Sequence, residues 1–318
     1  MKTLRTSYPH LCRRLLIPAV SIALFWSAPS ESRAWDFIAD CPPACSATAA
    51  VTDSMEIESW LKEASANPPS QALTLFFARK LMDRPYVAHT LEVNSQERLV
   101  VNTRQLDCTT LVENAVALTL CSRQGKTSFH DFKSALQLIR YRGGKLTDYT
   151  SRLHYFTDWI EDNTAKGIVR EIQQPIPPFT AKQHINVAYM TTHPSRYQAL
   201  VSHPEFIPTI RQQEQQLSGK TYRFIPKSAV RNTKVLRSAV ADGDIIAITC
   251  RKKGLDIAHI GFAVWREDGL HLLNASMIHK KVVDEPLTLE RYLAQHPSHT
   301  GIRVIRLTGG SSYPNSPS

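Results

Sequence analysis

Two hydrophobic periods divide the chain. In the first half, apolar residues recur every three to four positions. Leu73, Phe76, Phe77 and Leu81 fall on one side of a helix that Arg84-Pro85 stops, and Leu111, Val112, Ala115, Val116 and Leu118 mark a strongly apolar helix ending near Ser122. Residues 129–141 make an amphipathic helix closed by Gly143-Gly144, and 148–163 another. Upstream, 53–82 reads as two helical pieces split at Asn67-Pro68-Pro69, after an irregular 35–52. Residues 86–105 read as extended, with a strand over 97–101. From Asp242 the period becomes two. It predicts strands at 244–250, 257–265, 270–276, 281–283 and 302–307, with Glu267-Asp268-Gly269 as a hairpin turn and a short helix over 287–295. Between the halves, 168–228 mixes short strands, turns at Pro175, Pro177 and Pro178, and a Gln-rich helix over 210–217. It reads as an insertion decorating a core. Helices first and an antiparallel sheet after give an α+β layout with a helix packed on the sheet.

The N-terminus changes this picture at one end only. Lys2, Arg5, Arg13 and Arg14 precede an apolar run from Leu15 to Trp26, and Ser32-Arg33-Ala34 offers the small residues of a signal-peptidase site. The run is short and broken by Pro18, so a cleaved export signal over 1–34 is expected, with no spanning helix and a periplasmic destination. Loss of 1–34 removes five Lys/Arg and one Asp/Glu from totals of 38 and 28, leaving a charge of +6. The basic residues are scattered, which gives no case for nucleic acid. Five cysteines remain after cleavage: Cys41, Cys45, Cys108, Cys121 and Cys250. An odd number in an oxidising compartment leaves a free thiol. Cys41 and Cys45 could bridge, and Cys121 and Cys250 sit in apolar runs. The organisation expected is a signal peptide over 1–34, an N-terminal segment over 35–69 and a catalytic domain over 70–318.

Cys108 is the natural thiol to stay free. It stands where an extended stretch becomes the apolar helix, in LDCTTLVENAVALTL over 106–120. The thiolate is the nucleophile, and a helix N-terminus favours that anion. Asp107 can cap the helix. The competing reading is a small buried core cysteine. In GLDIAHIGFAVW, period two sets His259, Gly261, Ala263 and Trp265 on one face and Ala258, Ile260, Phe262 and Val264 on the other. Small residues beside His259 leave room for the Cys108 helix, which makes His259 the candidate base. A third group should orient the imidazole. Asn274 does so if the hairpin pairs it with Gly261 or Ala263; His271 and Asp256 are the competitors. No metal or cofactor is expected. His-Glu-x-x-His, Gly-rich phosphate motifs and G-x-S-x-G are absent, and His296 and His299, around Pro297, read as surface residues.

In order, RPYVAHTLE, LDCTTLVENAVAL, GDIIAI, AHIGFAVW and LHLLNASM resemble the core of NlpC-type cysteine peptidases, papain-like bacterial cell-wall hydrolases. LDCTTLVEN, SRLHYFTDWIEDN (151–163) and INVAYMTTHPSRY (185–197) are similar to the N-acetylmuramoyl-L-alanine amidase-like branch. The resemblance runs from about residue 70 to about 307. It implies a papain-like α+β core with a helical and irregular insertion, a catalytic Cys108, a base His259, and Asn274 where many members carry a second histidine. Tyr86 matches a tyrosine lining the nucleophile's side. The implied reaction is cleavage of the amide between N-acetylmuramic acid and L-alanine in soluble muropeptides, anhydro-muramyl ones included. Ordinary NlpC-type members instead cut after D-glutamate in the stem peptide. Arg152, His154 and Tyr155 are the candidates for a sugar-side wall; a helix with one solvated face is the plainer alternative. A catalytically silent wall-binding module is the reading from another class.

Overall fold

All five predicted C-terminal strands form and pair antiparallel. In the computed structural model, which describes residues 44–308 except 68, 70–71 and 174–176, they belong to an eight-stranded sheet. Its strands are β1 (Val169–Ile172), β2 (Ala181–His184), β3 (Thr221–Pro226), β4 (Ile245–Cys250), β5 (Ile257–Trp265), β6 (Leu270–Ser276), β7 (Lys281–Asp284) and β8 (His299–Leu307). The spatial order is β2-β3-β8-β4-β5-β6-β7, with β1 also on β8. The export signal, its cleavage point at Ala34 and the Cys41–Cys45 pair lie outside the described residues. Among those residues no helix is long and apolar enough to cross a membrane.

The helices are α1 (Ala44–Ala66), α2 (Leu73–Lys80), α3 (Cys108–Arg123), α4 (Phe129–Arg140), α5 (Phe156–Ala165), α6 (Tyr189–Thr192), α7 (Gln198–Ser202), α8 (Ile207–Leu217), α9 (Lys234–Ala239) and α10 (Leu289–Ala294). The first begins earlier than expected, inside the stretch read as irregular, and buries Ile57 and Leu61 in the same core as α2 and α3. The helix predicted over 148–163 starts late. Tyr149–Ser151 is a single 3-10 turn, Arg152 pairs with Tyr141 in an isolated bridge, and the α-helix begins at Phe156.

Central strands are buried on both faces, which is why β4 reads Ile-Ile-Ala-Ile without alternation. One face, with Ile245, Ala247, Ile260, Phe262 and Leu273, packs on α3 through Leu111, Val112, Ala115 and Val116. The other, with Ile246, Ile248, Ala263, Leu272 and Val304, packs on α9 and α10. This corrects the expected role of Gly261. The helix lies on the Ile260–Phe262 face, and Gly261 is small for the neighbouring strand instead: a Cβ there would meet the Leu273 carbonyl at 2.6 Å. The segment read as an insertion does more than decorate, since β1 and β3 extend the sheet by pairing with β8. Its remainder closes a satellite core of Ile185, Val187, Met190, Leu200, Ile210 and Leu217 around Tyr149 and Tyr155.

Residues 97–101 form no strand. Their polar groups are taken by side chains from elsewhere. Arg140 donates to the Val100 carbonyl at 2.6 Å, and Tyr141 donates to Glu97 at 2.7 Å and to the Arg98 carbonyl at 3.2 Å. Arg140 is itself paired with Glu113 at 2.7 Å, both buried, so α3, α4 and this extended run are clamped together.

Candidate active site

The site is built where α3 starts. Asp107 caps the helix: its Oδ1 accepts from Thr110 N at 2.8 Å, and Thr110 Oγ1 accepts from Asp107 N at 2.9 Å. This reciprocal box holds the first turn and fixes the backbone that carries Cys108. Just upstream, Leu106 N donates to the Pro85 carbonyl and Val87 N to the Leu106 carbonyl, at 3.0 and 3.1 Å. That short parallel bridge sets Tyr86 beside Cys108, and burial, with Cys108 and Asp107 adding to it, raises its phenol above the usual range.

From the sheet, the Ile260 backbone meets the Cys108 sulfur, which brings the neighbouring His259 to this end of α3. The hairpin register pairs Phe262 with Leu273 and Ala263 with Leu272, so Asn274 falls across from Gly261. His259 and Asn274 touch: Nε2 and Oδ1 are 3.0 Å apart. The amide cannot turn freely, because its Nδ2 donates to the Leu272 carbonyl at 3.2 Å. Oδ1 therefore faces the ring and accepts from Nε2–H, and Nδ1 is left as the basic nitrogen. The competitors are occupied. His271 sits between the Glu285 carbonyl and Asp268, both at 2.9 Å, and Asp256 accepts from Thr157 N at 2.7 Å.

Burial dominates the electrostatics. It pushes the Cys108 thiol up to about 12, with Asp107 adding to the shift and the Ile260 backbone opposing it. Burial also lowers His259, against the support of Asn274. Cys108 is half-buried as a residue, yet protein atoms crowd its thiol closely. Both shifts favour the neutral thiol and neutral imidazole at rest. Burial here opposes the helix N-terminus, which by itself favours the thiolate. Cys121 and Cys250 are also free thiols, the first buried within α3.

The wall candidates separate. Arg152 lines a cavity of about 370 Å³ with Leu91, Glu92, Glu97, Tyr149 and Phe206. It donates to Glu97 at 2.7 and 3.1 Å and stacks on Tyr149 at 4.9 Å. Glu92, in the same wall, lies 3.7 Å from His89, an imidazole that also feels Asp107. Tyr155 faces the satellite core instead: buried, it donates to Glu214 at 2.6 Å and accepts from Met190 N at 3.1 Å. His154 packs on Tyr149, ring centroids 4.4 Å apart, and donates through Nε2 to the Tyr149 carbonyl at 2.8 Å.

Burial, reinforced by Arg152, lowers His154 to about 3. A histidine depressed in the fold takes up a proton more readily when unfolded, so stability is full above pH 6.5 and falls with falling pH. His154 should contribute a loss of about 2 kcal/mol between pH 7 and pH 5. His154→Gln, whose amide can still donate to the Tyr149 carbonyl, should flatten that dependence in urea melts. An unchanged slope would rule the contribution out.

Sequence reasoning passed over one group at this site. Tyr292, His296 and His299 form a column of rings beside His259, with Lys227 next to them. His296 and His299, read as surface residues, are half-buried here. Their proximity depends on the pairing of β8 with β4, which sets His299 against Cys250.

A sequence model of the family described as N-acetylmuramoyl-L-alanine amidase-like matches residues 76–302. Among solved structures, an N-acetylmuramoyl-L-alanine amidase from Bacteroides uniformis shares 41% identity, with a TM-score of 0.69 over 74% of this chain and 97% of that one. A Bacteroides fragilis protein carrying a provisional xylanase name shares 40% identity, with a TM-score of 0.68 over 74% of this chain and 100% of its own. A Legionella pneumophila protein at 22% identity, TM-score 0.64, shares the fold over 82% of this chain and 96% of its own. No curated protein matches.

Proposed function

This chain belongs to the N-acetylmuramoyl-L-alanine amidase-like family, and from that premise we propose that it is a cysteine amidase cutting the amide between N-acetylmuramic acid and L-alanine in soluble peptidoglycan fragments. The observation that carries the chemistry is at the capped start of α3, where the Ile260 backbone meets Cys108 and the adjacent His259 touches Asn274. The α3-on-sheet packing around it supports a papain-like core. Tyr86, Arg152 and His154 are proposed for the acyl-side wall; Tyr155 supports that wall from behind.

His259 Nδ1 takes the thiol proton as sulfur attacks the lactyl carbonyl. The neutral pair becomes an ion pair only as the reaction starts, and Asn274 steadies the imidazolium through Nε2–H. Backbone N–H groups at the start of α3 are suited to the oxyanion, each such donor being worth about 3–4 kcal/mol in the transition state. His259 then protonates the alanine nitrogen. The C–N bond breaks, the peptide leaves, and water hydrolyses the thioester to regenerate the thiol. Incubation with defined muropeptides and mass spectrometry of the products tests the bond. Cleavage after D-glutamate would move the chain to the endopeptidase reading, and an inert protein to the silent module. Glycoside hydrolysis requires two carboxyl groups flanking the bond. The carboxylates of the proposed sugar-side wall, Glu97 and Glu92, are held by Arg152 and His89, so xylan should stay intact.

Export to the periplasm is part of the proposal. Exported protein should begin at Trp35 or within a few residues of it by N-terminal sequencing. Full-length protein retained in the cytoplasm would contradict it.

A further inference from the structure

Beyond His259 the site has a basic wall for which the dyad chemistry has no use. Tyr292 ends a turn of α10, His296 follows four residues later, and His299 opens β8. Their rings stack in a column, with Tyr292–His296 centroids 4.4 Å apart and His296–His299 centroids 4.7 Å apart at 10°. His296 Nδ1 donates to the Tyr292 carbonyl at 2.7 Å, which turns its other nitrogen outward. Lys227 Nζ donates to the His296 carbonyl at 3.2 Å and fixes the ammonium here. His299 Nδ1 is buried with no hydrogen-bond partner among the described residues.

The wall lacks a matching acid. After burial, the groups acting on His299 are His296, His259 and Lys227, all cationic or able to become so, and together they lower it to about 4. Glu285 reaches His259 and Tyr292, but it is engaged by His279 at 3.2 Å. A buried imidazole nitrogen without a partner, able to donate in one tautomer and next to a fixed positive charge, suits an anion brought by a ligand.

The mechanism says which part of the ligand passes here. The leaving nitrogen takes its proton from His259, so the leaving peptide departs on the histidine side of the dyad. In a muramyl peptide that portion starts with L-alanine, and the next residue carries a free α-carboxylate unless it is amidated.

We propose that Lys227, His296 and His299 form a carboxylate-binding subsite for the leaving peptide, gripping the α-carboxylate of the residue after L-alanine. The inference rests on the muramyl amidase reading above. It makes the enzyme sensitive to one chemical change in the substrate, carboxylate to carboxamide at that residue.

The test compares N-acetylmuramoyl-L-alanyl-D-glutamate with its α-carboxamide at pH 7, using the full exported chain. Wild type should favour the carboxylate by about tenfold or more in kcat/KM, the scale of one charge-assisted hydrogen bond. In Lys227→Met and in His299→Phe, which keeps an aromatic ring in the column, that ratio should fall towards one through KM rather than kcat. Should His299→Phe fail to fold, Lys227→Met decides alone. Equal turnover of both substrates by wild type would overturn the subsite while leaving the amidase reading intact. So would variants that lose the same factor on both substrates. Cleavage of neither substrate by wild type would remove the amidase reading and this inference with it.

Discussion

Cys108→Ala should lower turnover by about 10⁴-fold or more while leaving the unfolding curve almost in place. The size follows from the proposed mechanism, in which the deleted sulfur forms the covalent intermediate, since nucleophile deletions in triad enzymes remove most of the chemical rate enhancement. The small stability effect follows from what holds this position. The turn is fixed by the Asp107–Thr110 cap and by the Leu106 backbone bonds, none of which uses the sulfur. Loss of one half-buried sulfur atom should cost within about 1 kcal/mol. Cys121→Ala and Cys250→Ala are the controls and should retain turnover. The first, buried within α3, should lose roughly 1–2 kcal/mol of stability. His259→Ala should be as damaging as Cys108→Ala, and the double variant no worse than either, because base and nucleophile act as a unit. Substantial turnover by the Cys108 variant, measured on a muramyl peptide, would remove the thioester mechanism.

Much of this site was legible because its determinants are local. Asp107-Cys108-Thr109-Thr110 before an apolar run is a helix start whatever lies elsewhere in the chain. Asn274 reached His259 because a single hairpin, Glu267-Asp268-Gly269, sets the register of β5 on β6, and a register fixes the face. The misreadings come from non-local competition. Residues 97–101 end in the β-favouring Leu-Val-Val, but Arg140 and Tyr141 occupy the Val100 and Arg98 carbonyls that a ladder would need. Gly261 signalled a close approach correctly, yet the neighbour is the Leu273 carbonyl of β6 and not α3. The stretch 152–155 lacks helical structure because its side chains are drawn to distant partners, Arg152 to Glu97 and Tyr155 to Glu214. His296 and His299 enter the site only through the β4–β8 pairing, a contact across about 50 residues that no pattern near Pro297 reveals. The effect of burial on the thiol is hidden from the sequence for a related reason. A helix N-terminus is visible in sequence, whereas the burial that outweighs it belongs to the assembled fold.

Removing the sugar from the substrate should lower kcat/KM by about 10³-fold or more, the other large effect expected of this enzyme. The Cys108–His259–Asn274 core suits either amide, so the choice of bond must come from the walls around it. The proposed sugar-side wall is a cavity of about 370 Å³, within the range of small-molecule sites, lined by Tyr149, Arg152, Glu92 and Glu97. Aromatic, cationic and carboxylate groups together match a hydroxylated, N-acetylated ring better than an aliphatic peptide. Their mutual pairing, Arg152 on Glu97 and stacked on Tyr149, holds them in place before binding. Binding energy from a remote sugar can then be used to align the lactyl carbonyl with Cys108, so its loss should appear in kcat as well as KM. Mass spectrometry should find free muramic acid and an intact peptide beginning with L-alanine from the muramyl substrate, and no product from the bare peptide. Arg152→Met should narrow that discrimination, since the guanidinium then no longer orients Glu97 in the wall. Equal cleavage of the sugar-free peptide, or products ending in D-glutamate, would overturn the muramyl assignment and leave a cysteine endopeptidase acting on the stem.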